Sequence, residues 1–204
     1  MAAPDLSTAA APSARLINPT NLWWVAAALA VMVGAMLAGS FWFLDFVHVF
    51  AGLLWTGIDL FMGFVIGPIL RQLDLAARRG MMTRLMPRMI FLMPTLAIIT
   101  GTTGWYLARE LGFFDLPYPQ QAWVTAALVL IALLTVQGLG ILLPTNLRVC
   151  FELQKERPDV ARMQRWMHRY VRMTALQGLM QILIIVIMAR FVGMGPCPLP
   201  GHAL

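Results

Sequence analysis

The chain has 204 residues, of which 60% are hydrophobic and 12% are charged, and its formal net charge is +6. A soluble domain carries roughly 25% charged residues, so this composition excludes an ordinary soluble protein and indicates an integral membrane protein with one compact domain. A positive excess in a membrane protein mostly reflects its topology, and we therefore expect no nucleic-acid binding.

The N-terminal part of the chain contains a tail and a first hydrophobic segment. Residues 1–20 are rich in Ala, Pro and Ser, which predicts a flexible tail. Asn21 to Phe43 is predicted to remain as a transmembrane helix, because its apolar run is longer than that of a usual signal peptide; cleavage before Ser40 is the alternative. A tight turn near Leu44 and Asp45 is expected to follow.

The second hydrophobic segment, Phe46 to Leu70, contains two ionisable side chains. A hydrocarbon core of ~30 Å needs ~20 apolar residues in a helix, and this segment exceeds that length. Ionisable side chains inside a membrane nearly always face inward, so the helix face that carries them should contact other helices or a bound group. The residues of this polar stripe are His48, Trp55, Asp59 and Ile66, flanked by Gly52 and Gly63.

Three more hydrophobic segments follow: Met89 to Leu107, with Pro94 inside it, Ala122 to Leu143, and Tyr170 to Phe191. The proline predicts a kink in the third span, which neighbouring helices can accommodate in a membrane. Residues 193–204 are predicted to form an irregular C-terminal tail.

Arginine is concentrated in two polar stretches, Arg71 to Arg88 and Arg148 to Arg169, which are predicted to be loops. The positive-inside rule places both in the cytoplasm, and the loop from Arg109 to Gln121 outside. We therefore expect an all-α bundle of five transmembrane helices over residues 21–192, with a four-helix core and one N-terminal helix. The predicted location is a bacterial-type inner membrane, with the N-terminus in the cytoplasm and the C-terminus outside.

Four stretches of the chain resemble, in order, the helices of the CopD-like and HemJ-type group of membrane proteins. They cover about residues 46–192 and read FVHVFAGLLWTGIDLFMGFVIGPILR, LMPTLAIITGTTGWYLA, AWVTAALVLIALLTVQGLG and RYVRMTALQGLMQILIIVIMARF. The group includes haem-binding protoporphyrinogen oxidases and proteins linked to copper uptake. The resemblance implies a four-helix bundle with His48 at the position of the group's first-helix histidine.

Other positions that the group uses carry different residues here. The third-helix Lys linked to haem falls near Ala127, the third-helix His falls near Gln137, and the final-helix Asn-Glu pair is replaced around Ala175 to Gln177. We therefore do not expect the oxidase activity, and whether the chain is an enzyme stays open.

His48 is the first candidate for a metal ligand, because neutral imidazole is the usual axial ligand of haem iron. Asp45 either orients its ring or caps the start of the helix. Gly52, Trp55 and Gly63 are expected to line a haem b pocket. Arg109 and Arg190 are candidates to bind haem propionates, and the alternative for both is an interface anchor.

Asp59 is predicted to lie in the middle of the membrane. It could relay protons or bind a cation. The structural alternative, which we prefer, is that it accepts a hydrogen bond from a neighbouring span. The candidate donors are Thr100, Thr102, Thr103 and Gln137.

Copper is a less favoured cofactor. Thioethers select Cu(I), and methionines cluster from Met81 to Met93, but Met also fills gaps in membrane cores. Cys197 and His202 form a weak candidate pair outside the membrane. Cys150 and Cys197 fall at opposite ends of a predicted span and are not expected to form a disulfide, and His168 is predicted to lie at the opposite membrane surface from His48.

The sequence thus favours a b-type haem-associated membrane subunit that acts in electron transfer or redox chemistry. A non-catalytic assembly or interaction subunit without a cofactor, which docks a partner through its polar stripe, is the second hypothesis. A copper transport-related protein is the third. The expected partners are the lipid bilayer and either other membrane subunits or further copies of the chain.

Overall fold

The computed structural model describes residues 20–153, 155 and 159–192, and this part of the chain contains helices and no strand. The predicted C-terminal tail and residues 1–19 of the predicted N-terminal tail lie outside the described residues. The five helices are α1 (Thr20–Leu37), α2 (Phe41–Gln72), α3 (Leu75–Glu110), α4 (Gln120–Leu153) and α5 (Val160–Val192). Two of them contain a π-helical segment, α2 at Phe61–Ile66 and α4 at Gly138–Leu142.

Helices α2 to α5 are each long and apolar enough to cross a membrane. Many of their large apolar side chains are exposed, as expected for surfaces that contact lipid. The chain is therefore a multi-pass integral membrane protein, and the prediction of an all-α membrane bundle is confirmed. The apolar helix of α1 is shorter, at Leu22–Leu37.

The turn between α1 and α2 lies at residues 38–40, so the predicted turn near Leu44 and Asp45 is wrong. Gly39 has a φ of +62°, a left-handed conformation that glycine adopts without steric strain. The Ser40 side chain then caps α2 by accepting a hydrogen bond from the backbone amide of Phe43 at 3.4 Å. The chain therefore reverses four residues earlier than expected, and Asp45 lies inside α2.

The stretch from Arg71 to Arg88 is mostly helical, so the predicted long loop is also wrong. Only Leu73 and Asp74 separate α2 from α3. The Asp74 carboxylate caps α3 by accepting from the amide of Ala77 at 2.7 Å, and the Arg78 guanidinium donates to the carbonyls of Arg71 and Leu73 at 3.1 Å each. The hairpin is tight because side chains satisfy the backbone groups of both helix ends.

The second arginine-rich stretch is also mostly helical, since α4 continues to Leu153 and α5 begins at Val160. Glu152 accepts from the Lys155 ammonium at 2.7 Å and from the amide of Asp159 at 3.0 Å. The Asp159 carboxylate accepts from the amide of Arg162 at 2.9 Å, and this bond lowers the pKa of Asp159 below its usual value. Helix α5 therefore begins with a side-chain cap well before the predicted span.

Helix α3 continues through both Pro87 and Pro94, and the expected kink at Pro94 stays a prediction.

Helices α2 and α3 each pack against three other helices and form the centre of the bundle. Helix α2 packs against α3 and α5, α4 packs against α5 and, through its second half, against α3, and α1 packs on α3 and α2. We call the end of the bundle near Arg71, Arg78 and Arg165 the arginine-rich end, and the opposite end the His48 end. One apolar core lies at the arginine-rich end and two smaller ones lie towards the opposite end.

Candidate functional site

His48 lies on the inner face of α2 and contacts α3. Its ring nitrogen Nδ1 is 3.0 Å from the carbonyl oxygen of Thr100 and 3.3 Å from the hydroxyl oxygen of Thr103. A carbonyl can only accept, and the Thr103 hydroxyl already donates to the carbonyl of Ile99 at 2.6 Å. Both contacts therefore require a proton on Nδ1, which leaves a free lone pair on Nε2 of the neutral ring.

The surroundings of His48 are shaped by a glycine on α3. A Cβ atom at Gly104 would be 2.6 Å from Cε1 of His48, so the ring lies directly on the α3 backbone. His48 is half-buried, and Nε2 has no hydrogen-bond partner among the described residues. The imidazole is thus held through Nδ1, and its Nε2 is not engaged by another side chain or carbonyl in that part of the chain.

Asp45 does not have either of its two predicted roles. Ser40 caps α2, and the Nδ1 side of the His48 ring is held by α3. The Asp45 side chain is exposed. The ring is therefore oriented by the backbone carbonyl of Thr100 and not by the predicted carboxylate of Asp45.

The other residues predicted to surround a haem are spread over several places. Gly52 faces α3, where a Cβ would be 3.4 Å from the Thr100 methyl group, close to His48. Gly63 faces α5 instead, because a Cβ there would be 2.7 Å from the Cα of Ala175. That spacing is a close helix–helix contact with no space for a ligand, so we do not include Gly63 in the site proposed below.

The two predicted propionate-binding arginines have different surroundings. Arg109 is exposed in the last turn of α3, five residues after Gly104 and therefore about 140° around the helix from the face that contacts His48. The Arg190 guanidinium lies 6.0 Å from the ring centre of Trp123, so it contacts α4. Arg109 therefore shares a helix, but not a helix face, with the residues that contact His48.

Asp59 lies in a buried polar cluster between α2 and α5. Its carboxylate is 1% exposed and accepts a hydrogen bond from the Gln177 side-chain amide at 2.8 Å. Gln181 and Trp55 also lie beside it. The predicted donors on α3 and α4 are wrong, because Thr103 contacts His48 and Gln137 donates to the carbonyl of Met173.

Sequence reasoning missed four polar residues of α5 that lie on its buried face. They are spaced by four, three and four residues, which is one face of a helix, and each is at most 4% exposed. The partners predicted for Asp59 were all on α3 and α4, and none was on α5. The spacing of the four polar residues is the pattern that reveals them. We call this set the α5 polar row: Tyr170, Thr174, Gln177 and Gln181.

The predicted methionine cluster forms part of the apolar core at the arginine-rich end. Met82 and Met86 are buried there beside Met62 and Met167, and Met81 packs against them. Their thioethers therefore fill the interior, as methionine commonly does.

A cavity of about 480 Å³ adjoins this core, and His168 and Arg78 are among its lining residues. Arg78 and Thr100 are 22 residues apart on α3, which corresponds to about 33 Å along a helix. The two histidines thus lie at opposite ends of the bundle, as predicted.

The described residues include no group of three or more His, Cys, Asp or Glu side chains arranged to hold a metal ion. Cys150 is a buried free thiol, whereas Cys197 and His202 lie outside the described residues. A site that needs only one protein ligand, such as an axial histidine of haem, is compatible with this arrangement.

Comparison of the chain with protein-family models, with curated proteins and with solved structures finds no match.

Proposed function

We propose that the protein is a membrane-embedded subunit that holds a b-type haem through His48 and serves electron transfer or redox chemistry. The observation that carries this proposal is the state of the imidazole. Its Nδ1 proton is donated to the Thr100 carbonyl, and its Nε2 lone pair has no hydrogen-bond partner among the described residues. This is the tautomer that a histidine ligand of haem iron requires.

The residues proposed to hold the haem lie on α2 and α3. Gly104 lacks a side chain on the face of α3 next to His48, and a Cβ there would be 2.6 Å from Cε1 of the ring. Arg109 lies in the last turn of the same helix, about 140° around its axis from Gly104. We assign His48 as the axial ligand, Gly52 and Gly104 as close neighbours, and Arg109 as the propionate partner, since a guanidinium can pair with a carboxylate.

The chain would supply position and electrostatics, and the haem would supply the one-electron chemistry. The bond from Nδ1 to the Thr100 carbonyl makes the ring a stronger electron donor and prevents its rotation. The resemblance to the CopD-like and HemJ-type group supports a haem near His48. We further propose that the arginine-rich end is cytoplasmic and that His48 lies in the outer half of a bacterial-type inner membrane.

The absorption spectrum of the protein purified from haem-supplied cells tests this proposal. We expect a Soret band, its loss or a changed spin state in His48→Ala, and no change in His168→Ala, which replaces the exposed histidine at the other end. Added imidazole should restore the band in His48→Gly, because a free ring can occupy the vacated space. A folded wild-type protein without a Soret band would refute haem binding.

A subunit without a cofactor that assembles with membrane partners is the second candidate. It is favoured by a ladder of stacked aromatic rings on the exposed face of α2, in which Trp42, Phe46 and Phe50 follow each other at 5.7 Å. The polar stripe itself does not support partner docking, since His48 and Asp59 bond to α3 and α5 of their own chain. A Soret-free protein that loses a co-purifying subunit on Phe46→Ala would favour this candidate.

A further inference from the structure

The α5 polar row places several hydrogen-bonding groups inside the membrane without partners. Among the described residues, the Thr174 hydroxyl, Oε1 of Gln177 and both polar atoms of Gln181 are buried and have no hydrogen bond. Buried polar groups are nearly always paired with protein or with ordered water. Four such atoms in one cluster therefore point to bound solvent.

Asp59 supplies the only carboxylate of this cluster. The Gln177 amide donates to one of its oxygens at 2.8 Å, and the Gln181 and Trp55 side chains lie beside the carboxylate. The buried length of the row, from Tyr170 to Gln181, spans eleven residues, or about 16 Å. The cluster therefore extends from mid-membrane well towards the arginine-rich end.

An ionised Asp59 would have no counter-ion. No ionisable side chain occurs in α3 between Arg88 and Tyr106, in α4 between Gln120 and Arg148, or in α5 between Arg172 and Arg190. The titratable side chains close to it on the packed helices are Tyr170 on α5 and, next to Tyr170, Cys150 on α4. Neither of them supplies a positive charge. A lone buried carboxylate in a membrane is costly, so it must be neutralised by a bound cation or a proton.

The backbone around the cluster is irregular on two helices at once. The π-helical segment of α2 begins two residues after Asp59, and that of α4 begins directly after Gln137, which donates to the carbonyl of Met173 on α5. Single π-helical turns inside α-helices occur frequently at functional sites. Both irregular turns here lie next to the unpartnered polar groups.

We infer that Asp59, Thr174, Gln177 and Gln181 form an intramembrane proton-binding site that contains ordered water. The proton is held on the Asp59 carboxyl group, and on release it passes to the bound water and leaves the carboxylate with its Gln177 hydrogen bond. The site is independent of the haem proposed above, because it lies between α2 and α5, whereas His48 contacts α3.

Infrared difference spectroscopy of the protein in lipid nanodiscs, with isotope-labelled aspartate, tests this inference. We expect a protonated carboxyl band that titrates with pH, disappears in Asp59→Asn and persists in Asp45→Asn, which makes the same change at an exposed site of α2. An unchanged band in a folded Asp59→Asn protein would overturn the inference. So would a band that responds to replacement of Na⁺ by choline rather than to pH.

The same infrared spectra also test for the bound water through its own absorption bands. Gln181→Leu removes two unpartnered polar atoms, so it should weaken the bands of bound water, whereas Gln164→Leu at an exposed position of α5 should not. Equal water bands in both variants would overturn the hydrated site. If Asp59→Asn does not fold, labelling of wild-type protein with a hydrophobic carbodiimide gives the answer. An adduct on Asp59 that increases as pH falls supports the site, and adducts on exposed carboxylates alone refute it.

Discussion

At the scale of single residues, the fit between His48 and Gly104 is the tightest contact around the candidate ligand. The ring lies on the α3 backbone at a point where any side chain would overlap with it. A glycine in a helix interior is less favourable than alanine by about 1 kcal/mol. Gly104 therefore lowers the helix propensity of α3 at the point where its missing side chain makes room for the His48 ring.

Gly104→Ala should therefore displace the His48 ring and break its bond to the Thr100 carbonyl. We expect a loss of about 1–3 kcal/mol in the free energy of unfolding, typical of overpacking, together with a weaker Soret band if haem is bound. Thermal unfolding in nanodiscs, followed by tryptophan fluorescence, measures the first effect.

Gly57→Ala is the matched control on α2, because a Cβ there meets no atom within 4 Å. It should leave stability unchanged or raise it by up to about 1 kcal/mol, since alanine is the better helix former. Equal stability of the two variants would show that the His48 ring does not depend on Gly104.

The sequence was sufficient to predict that His48 and Asp59 face inward, because their spacing and the cost of exposing them to lipid leave few alternatives. It was not sufficient to predict their partners. Thr100 contributes a backbone carbonyl, which side-chain patterns do not reveal, and Gln177 lies 118 residues away from Asp59. Pairings over such separations depend on how α2 and α5 are rotated, which periodicity within one helix does not determine.

At the scale of helices and loops, the main errors concerned where helices end. Hydropathy marks where a chain leaves the hydrocarbon, but a helix continues beyond that point when its polar residues are good helix formers, as arginine is. The helices end at turn and capping residues, which are Gly39, Ser40, Asp74 and Asp159. Such residues can be recognised in a sequence, but the predicted helix boundaries rested on hydropathy. The hydrophobic pattern alone was sufficient to predict the number and order of the helices.

The π-helical segment of α2 makes a prediction about single-residue deletions. A π turn holds about one residue more than an α turn, so removing one residue from it should give a continuous α-helix with both flanks in register. We expect deletion of Val65, which is exposed within this segment, to give a folded protein that elutes as a single species in size-exclusion chromatography.

Deletion of Leu54 is the control, because this residue is equally exposed but lies in the α-helical part of α2. Its loss rotates one flank of the helix by about 100° relative to the other and separates His48 from α3 or Asp59 from α5. The Leu54 deletion variant should therefore aggregate or lose its Soret band. If both deletions behave alike, the π turn is not an inserted residue in an otherwise regular helix.

At the scale of the whole molecule, both arginine-rich connections lie at one end of the bundle, and the connection that contains Asp115 lies at the other. The positive-inside rule therefore predicts a definite labelling pattern for single cysteines in a Cys150→Ala, Cys197→Ala background. In intact cells, a membrane-impermeant maleimide should modify Asp115→Cys and should not modify Gln72→Cys or Lys155→Cys. After permeabilisation all three should react. Labelling at Lys155→Cys before permeabilisation would contradict the proposed orientation.

The four long helices have between 32 and 36 residues, which corresponds to about 48–54 Å at 1.5 Å per residue. The hydrocarbon layer is only ~30 Å thick, so about 18–24 Å of each helix extends past it. Because the backbone beyond the hydrocarbon is already helical, a small change in bilayer thickness moves the water boundary along folded helix without unwinding it. The depth of the protein is then determined by its side-chain anchors, such as Trp23 and Arg109, rather than by the length of its helices.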